Sequence, residues 1–191
     1  SNETAETTFK LPESADLAHR FTAGGGKLED ILDGAAVKSM IGRELDSKAL
    51  AGILSDQKRA ELLQNLGMLQ GLSQAEKQSL LAPDHAEATM KAVLQKGSGA
   101  VEAIYSALGT ANTAEQQKLL AQLLDLQASG STGKQPIKDL DRFVSDLLTG
   151  EEWEELTRKA IREHQIPASQ DTGETDPRAF HAEIGVSTGA T

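Results

Sequence analysis

Apolar residues recur at three- and four-residue spacing through most of this chain, in short runs broken by glycine. Val101, Ile104, Tyr105 and Leu108 form one such run, ended by Gly109, and Leu119, Leu120, Leu123, Leu124 and Leu126 form the most apolar one. That spacing places side chains on one face of a 3.6-residue helix. A half-buried strand needs strict alternation instead, and no segment sustains it. Val and Ile together number 13, against 25 Leu and 26 Ala, and Ala and Leu favour helix where β-branched residues favour strand. The expected fold is all-α, a compact bundle of about eight to ten short helices joined by tight Gly, Ser or Pro turns. A helical solenoid is the minority reading. Its basis is an 18-residue echo, in which Leu54-Ser55 with Leu62-Leu63 matches Leu72-Ser73 with Leu80-Leu81.

Start and stop signals divide the chain further. Pro12 suits a first helical position, followed by Leu17 and Phe21, and Gly24-Gly25-Gly26 ends that helix. Leu28, Ile31, Leu32 and Ala35 make a second stripe with Gly34 as its stop. Ser55 reads as an N-cap, and Ser73 with Glu76 and Thr113 with Gln116 read as capping boxes. Pro136 restarts a helix whose seam is Ile137, Leu140, Val144 and Leu147, and a final helix spans about Glu151 to His164, with Trp153, Leu156 and Ala160 on one face. These signals give a flexible segment over 1–10, a helical domain over 11–166 with a sub-boundary at the polar loop 128–135, and an extended or disordered C-terminal tail over 167–191.

The formal charge is −10 at pH 7. It repels nucleic-acid phosphates and anionic membrane surfaces, so neither is an expected partner, and a protein with a basic surface is favoured. Cysteine is absent, which removes disulfides, thiolate nucleophiles and Cys-ligated metals. No apolar run approaches the ~18 residues of a membrane span, and no signal-peptide core is visible. The expected location is cytoplasmic, or exported without a recognisable signal. The Ser-Asn start is that of a processed or excised chain.

No constellation specific to a reaction is present, and no cofactor or metal is expected. The loop around Gly130 and Gly133-Lys134 fails the phosphate-loop pattern, with Ala128 at the first glycine and Gln135 at the hydroxyl. His19, His85, His164 and His181 form no metal-binding spacing, since an i, i+2 pair such as His85 and Glu87 points apart on a helix. Asp139-Leu140-Asp141 departs from a calcium loop at the third ligand and the glycine. The chain therefore reads as a non-enzymatic helical protein-interaction module, with a bacterial secretion-associated effector or regulator as one setting. The alternatives are a hydrolase or transferase whose carboxylate/His site is not visible from sequence, and a self-associating structural or assembly subunit.

Candidate partner-binding residues follow from isolated apolar groups and dense charge. Phe143 is offset from the Leu140/Val144 seam and is expected to be exposed. Trp153 fits core packing or an interface. Glu151 and Glu152 belong to an acidic first turn in which Glu154–Arg158 and Glu155–Lys159 pairs are expected. Phe180 and Ile184 stand alone in the polar tail and could anchor it to a groove.

Overall fold

The computed structural model describes residues 11–164; residues 1–10 and 165–191, the side chain of His164, and with them both expected tails, Phe180 and Ile184, lie outside the described residues. Among the described residues there are eleven α-helices and one 3₁₀ turn, one helix more than the upper expectation. They are α1 (Ser14–Ala23), α2 (Leu28–Ile31), α3 (Gly34–Met40), α4 (Ser47–Ile53), α5 (Asp56–Asn65), α6 (Gln74–Leu81), the turn Pro83–His85, α7 (Ala86–Leu94), α8 (Ser98–Gly109), α9 (Thr113–Ala128), α10 (Leu140–Leu147) and α11 (Gly150–His164). β-structure among these residues amounts to two isolated bridges, Leu32 with Ile137 and Ile41 with Leu45.

Local capping chemistry sets most of the boundaries. Ser55 and Ser73 cap α5 and α6 as expected, and the Ser73–Glu76 box closes in both directions. The second box sits one residue early: Asn112 and Glu115 form it, not Thr113 and Gln116, because Asn112 holds the extended backbone that an N-cap needs. Gly34 opens a helix and does not stop one. Asp33 accepts from the amides of Ala35 and Ala36 at 3.0 and 3.2 Å, and a Cβ at position 34 would lie 2.5 Å from the Tyr105 hydroxyl. Pro12 lies outside α1, since Glu13 is the N-cap and Ser14 the first helical residue.

One large core holds these elements together. Leu119, Leu120, Leu123 and Leu124 of α9 are buried, and so are Leu17 and Ala18 of α1, Leu50 and Ile53 of α4, and Ile104 and Leu108 of α8. Burying each large aliphatic side chain contributes roughly 1.5–3 kcal/mol. The most extensive helix pairing is α9 on α1, and α4 packs on α7. In a solenoid each unit touches only its sequence neighbours. Pairing of the first helix with the ninth therefore overturns the solenoid alternative. Ile137 and Phe143, beyond the 128–135 loop, belong to this same core.

Buried polar groups tie the helix ends to one another. Glu115, only 2% exposed, accepts from the backbone amides of Ser55 at 2.7 Å and Asn112 at 2.9 Å. Burial works against its charge, but the two N–H donors outweigh it and hold the carboxyl below its ordinary pKa. One carboxylate thus joins the starts of α5 and α9. None of the residues of α6 is buried, and polar contacts fix its end. The carbonyls of Ser79, Leu80 and Leu81 meet His85 Nδ1 at 2.6 Å, Thr89 Oγ1 at 2.7 Å and Arg59 Nη2 at 3.1 Å. A carbonyl only accepts, so Nδ1 of His85 carries a proton in this contact.

A smaller cluster lies along α11. Leu156 and Ala160 are buried there, with Leu11, Leu148 and Trp153 against them. A fork of two hydrogen bonds anchors α11 to α1. Arg20 Nη1 and Nη2 donate to Glu152 Oε1 and Oε2 at 2.6 and 2.8 Å. Nη1 also donates to the Leu147 carbonyl at 3.0 Å.

Candidate functional site

Three elements that meet only in the folded chain build a cleft of about 270 Å³. Phe21 comes from α1, Ile31 from α2, and Phe143 and Leu147 from α10; Asp30, Lys138, Asp139, Arg142 and Asp146 also line it. Phe21 sits one helical turn beyond Leu17, on the core-facing side of α1. Its ring lies where a Cβ on Gly26 would be, 2.4 Å away, so the glycine run does more than end a helix. It lets the backbone pass close beneath the ring.

The segment before α10 is extended, contrary to the expectation that Pro136 begins a helix. Asp33 N–H donates to the Pro136 carbonyl and Lys138 N–H to the Ile31 carbonyl, each at 2.8 Å. Gln127, 4% exposed, completes the anchoring. Its Oε1 accepts from Ile137 N–H at 3.0 Å, and its Nε2 donates to the Ile137 carbonyl at 3.4 Å. A side-chain amide here takes the place of a neighbouring strand, and this is why three residues leave the helical pattern. Asp139 then turns the chain with φ +47°, in the left-handed region that Asp tolerates better than most residues.

This turn rotates α10 relative to the expected seam. Phe143, expected to be exposed, is buried at 7%. The seam drawn through Ile137 fails because Ile137 is not on the helix. The Phe143 ring instead meets Phe21, with centroids 5.2 Å apart at 57°, a tilted geometry that suits the ring quadrupoles. Leu140, Val144 and Leu147 are only partly buried. Asp141, one residue into α10, has its pKa raised by burial and by the neighbouring Asp139 charge.

The other expected site residues divide. Trp153 is half-buried beside Leu156 and Ala160. Glu151 is exposed. Glu152 is engaged, since besides Arg20 it accepts from Thr149 N–H at 2.8 Å while Thr149 Oγ1 accepts from Glu152 N–H at 3.2 Å. The Arg20 hydrogen bonds first, then the Thr149 amide, pull its pKa down to about 2 against the opposing effect of burial. Arg20 is pushed up correspondingly, through Glu152 first and then Asp16. Of the expected ion pairs on α11 neither is formed. Glu155 meets Arg158 at 2.8 Å and Arg162 at 3.8 Å, and Lys159 meets Glu163 at 3.9 Å. Phe180 and Ile184 fall outside the described residues.

Phe21, Lys138, Arg142 and Arg20 were not singled out by sequence reasoning. Phe21 read as one more residue of a stripe, and Lys138, Arg142 and Arg20 belonged to no pattern that the sequence reading drew. Only the unusual density of Gly24–Gly26 beside an aromatic could have drawn attention to Phe21. Larger clefts exist. One of about 530 Å³ runs past Lys27, Leu32, Tyr105 and Leu119, and one of about 490 Å³ lies between Met68, Leu72, Leu80 and His85. The cleft on α10 differs from both in joining an aromatic pair on its floor to charges of both signs at its rim. Among the described residues no group of three or more His, Asp and Glu could hold a metal ion, and no helix is long and apolar enough to cross a membrane. No protein-family model, curated protein or solved structure matches this chain.

Proposed function

We propose that the chain is a helical protein-interaction module whose cleft between α1, α2 and α10 receives a large apolar side chain of a partner segment. The observation that carries this reading is the Phe21–Phe143 pair, 5.2 Å apart, forming the floor of an open cleft with five charged residues around it. Protein interfaces concentrate their binding energy in such desolvated apolar centres surrounded by a polar rim. The rim is held in place by the Pro136–Lys138 pairing, so little ordering cost falls on binding. The net charge of −10 steers basic partners toward the molecule.

A photo-crosslinking side chain at Arg142 in the full chain tests this, with one at the exposed Lys91 as control. The expected result is a saturable crosslink to a discrete protein segment from position 142, lost in an Ile31→Asp variant of unchanged melting temperature. Equal crosslinking from both positions, or a pattern indifferent to Ile31→Asp, would overturn the reading.

A further inference from the structure

The cleft of about 530 Å³ shares α2 with the cleft on α10 but uses different residues of it, Leu28 here and Asp30 and Ile31 there. Four elements supply its wall, through Leu28 of α2, Val37 of α3, Leu108 of α8 and Leu119 of α9. All four side chains belong to the main core, so packing fixes the wall before any ligand arrives. The volume falls within the roughly 300–1,000 Å³ of small-molecule sites, which join apolar walls to a few placed polar groups.

The polar side chains at this wall have capacity to spare. Lys27 and Glu29 form no ion pair among the described residues. The Tyr105 hydroxyl makes no hydrogen bond among them either, although the Lys38 ammonium, 4.9 Å from the ring centroid, holds the ring itself. Gln116 donates its amide nitrogen to the Ala111 carbonyl at 3.2 Å, which leaves Oε1 as an acceptor. Lys27 and the Tyr105 hydroxyl thus offer donors, and Glu29 and Gln116 Oε1 offer acceptors, around one apolar wall.

We propose that this cleft binds a free amino acid with a large apolar side chain. The ligand carboxylate meets Lys27 and the Tyr105 hydroxyl, its ammonium meets Glu29 and Gln116 Oε1, and its side chain lies against Leu28, Leu108 and Leu119. Charge selects this class. A ligand with a single charge pairs with one of Lys27 and Glu29 and meets like charge at the other, whereas a zwitterion complements both. Size allows it: about 530 Å³ exceeds the ~150 Å³ apolar cavity that admits a benzene ring, so a phenyl or isobutyl group enters with room for its charged end. The apolar wall supplies affinity, and the four polar groups set orientation. The site is independent of the Phe21–Phe143 cleft, and neither reading needs the other.

Titrating the isotope-labelled full chain with L-phenylalanine tests this. Saturable shifts are expected for amides of 26–32, 105–109 and 116–119, with amides of 139–147 unmoved. Lys27→Met and Glu29→Gln should each weaken binding about three- to tenfold at unchanged melting temperature, since both side chains are exposed. N-acetyl-L-phenylalanine lacks the ammonium, L-phenylalaninamide lacks the carboxylate, and glycine lacks the side chain; each should bind about tenfold more weakly or worse. Shifts centred on 139–147, no saturation by about 10 mM, equal affinity for any of these three ligands, or indifference to both substitutions overturns the inference.

Discussion

Substituting Glu152→Gln should separate the charge of the α1–α11 clasp from its shape. Glutamine keeps one oxygen for the Thr149 amide but presents N–H to an Arg20 nitrogen now bound at 2.8 Å. The carboxyl is held near pH 2, well below its ordinary range. A group with a depressed folded pKa adds stability that is fully present above its unfolded value of ~4.3 and is lost as pH falls toward the folded value. A shift of this size corresponds to roughly 3 kcal/mol at most. The Arg20 and Glu152 side chains are 27% and 17% exposed, and solvent screening reduces the contribution to about 1–2 kcal/mol. Arg20 stays charged throughout, so it adds no pH dependence here. Urea unfolding followed by helical circular dichroism should therefore put the variant's midpoint about 0.5–1 M below the parent at pH 7, with the gap closing between pH 4.5 and 2. Fluorescence of the single Trp, Trp153 on α11, reports whether that helix detaches before the core unfolds. Equal midpoints at pH 7, or a gap that persists unchanged at pH 2, would refute the assignment.

Leu120→Ala at the fully buried centre of α9 should cost about 2–5 kcal/mol by chemical denaturation. Gln127→Leu strips both partners from the Ile137 backbone; a loss of about 2–4 kcal/mol is expected, together with faster amide exchange at Ile137. Gly34→Ala should destabilise by about 1 kcal/mol because its Cβ meets the Tyr105 hydroxyl, and Tyr105→Phe should restore part of that loss in a double-mutant cycle. Gly26→Ala displaces the Phe21 ring, so near-ultraviolet signals of the aromatic pair should change along with binding at the cleft.

What the sequence alone determined is local. Helix identity, the Ser55 and Ser73 caps and the Leu-rich face of α9 follow from periodicity and from side chains that bond their own neighbouring amides. Those interactions close within four residues, so they are legible without a fold. The solenoid echo was the same local grammar repeated, and it carried no tertiary information. Tertiary structure decided the rest. Ile137 left the helical pattern because Gln127, ten residues earlier, and Ile31–Asp33, a hundred residues earlier, take up its segment's backbone hydrogen bonds. That one departure turned Phe143 inward onto Phe21 and shaped the cleft. Glu152 likewise read as part of an acidic first turn and a candidate for partner binding, and Arg20 carried no pattern of its own, until α11 lay across α1. Long-range pairing of this kind depends on which helix faces meet, and apolar periodicity specifies that a face is buried without specifying against what.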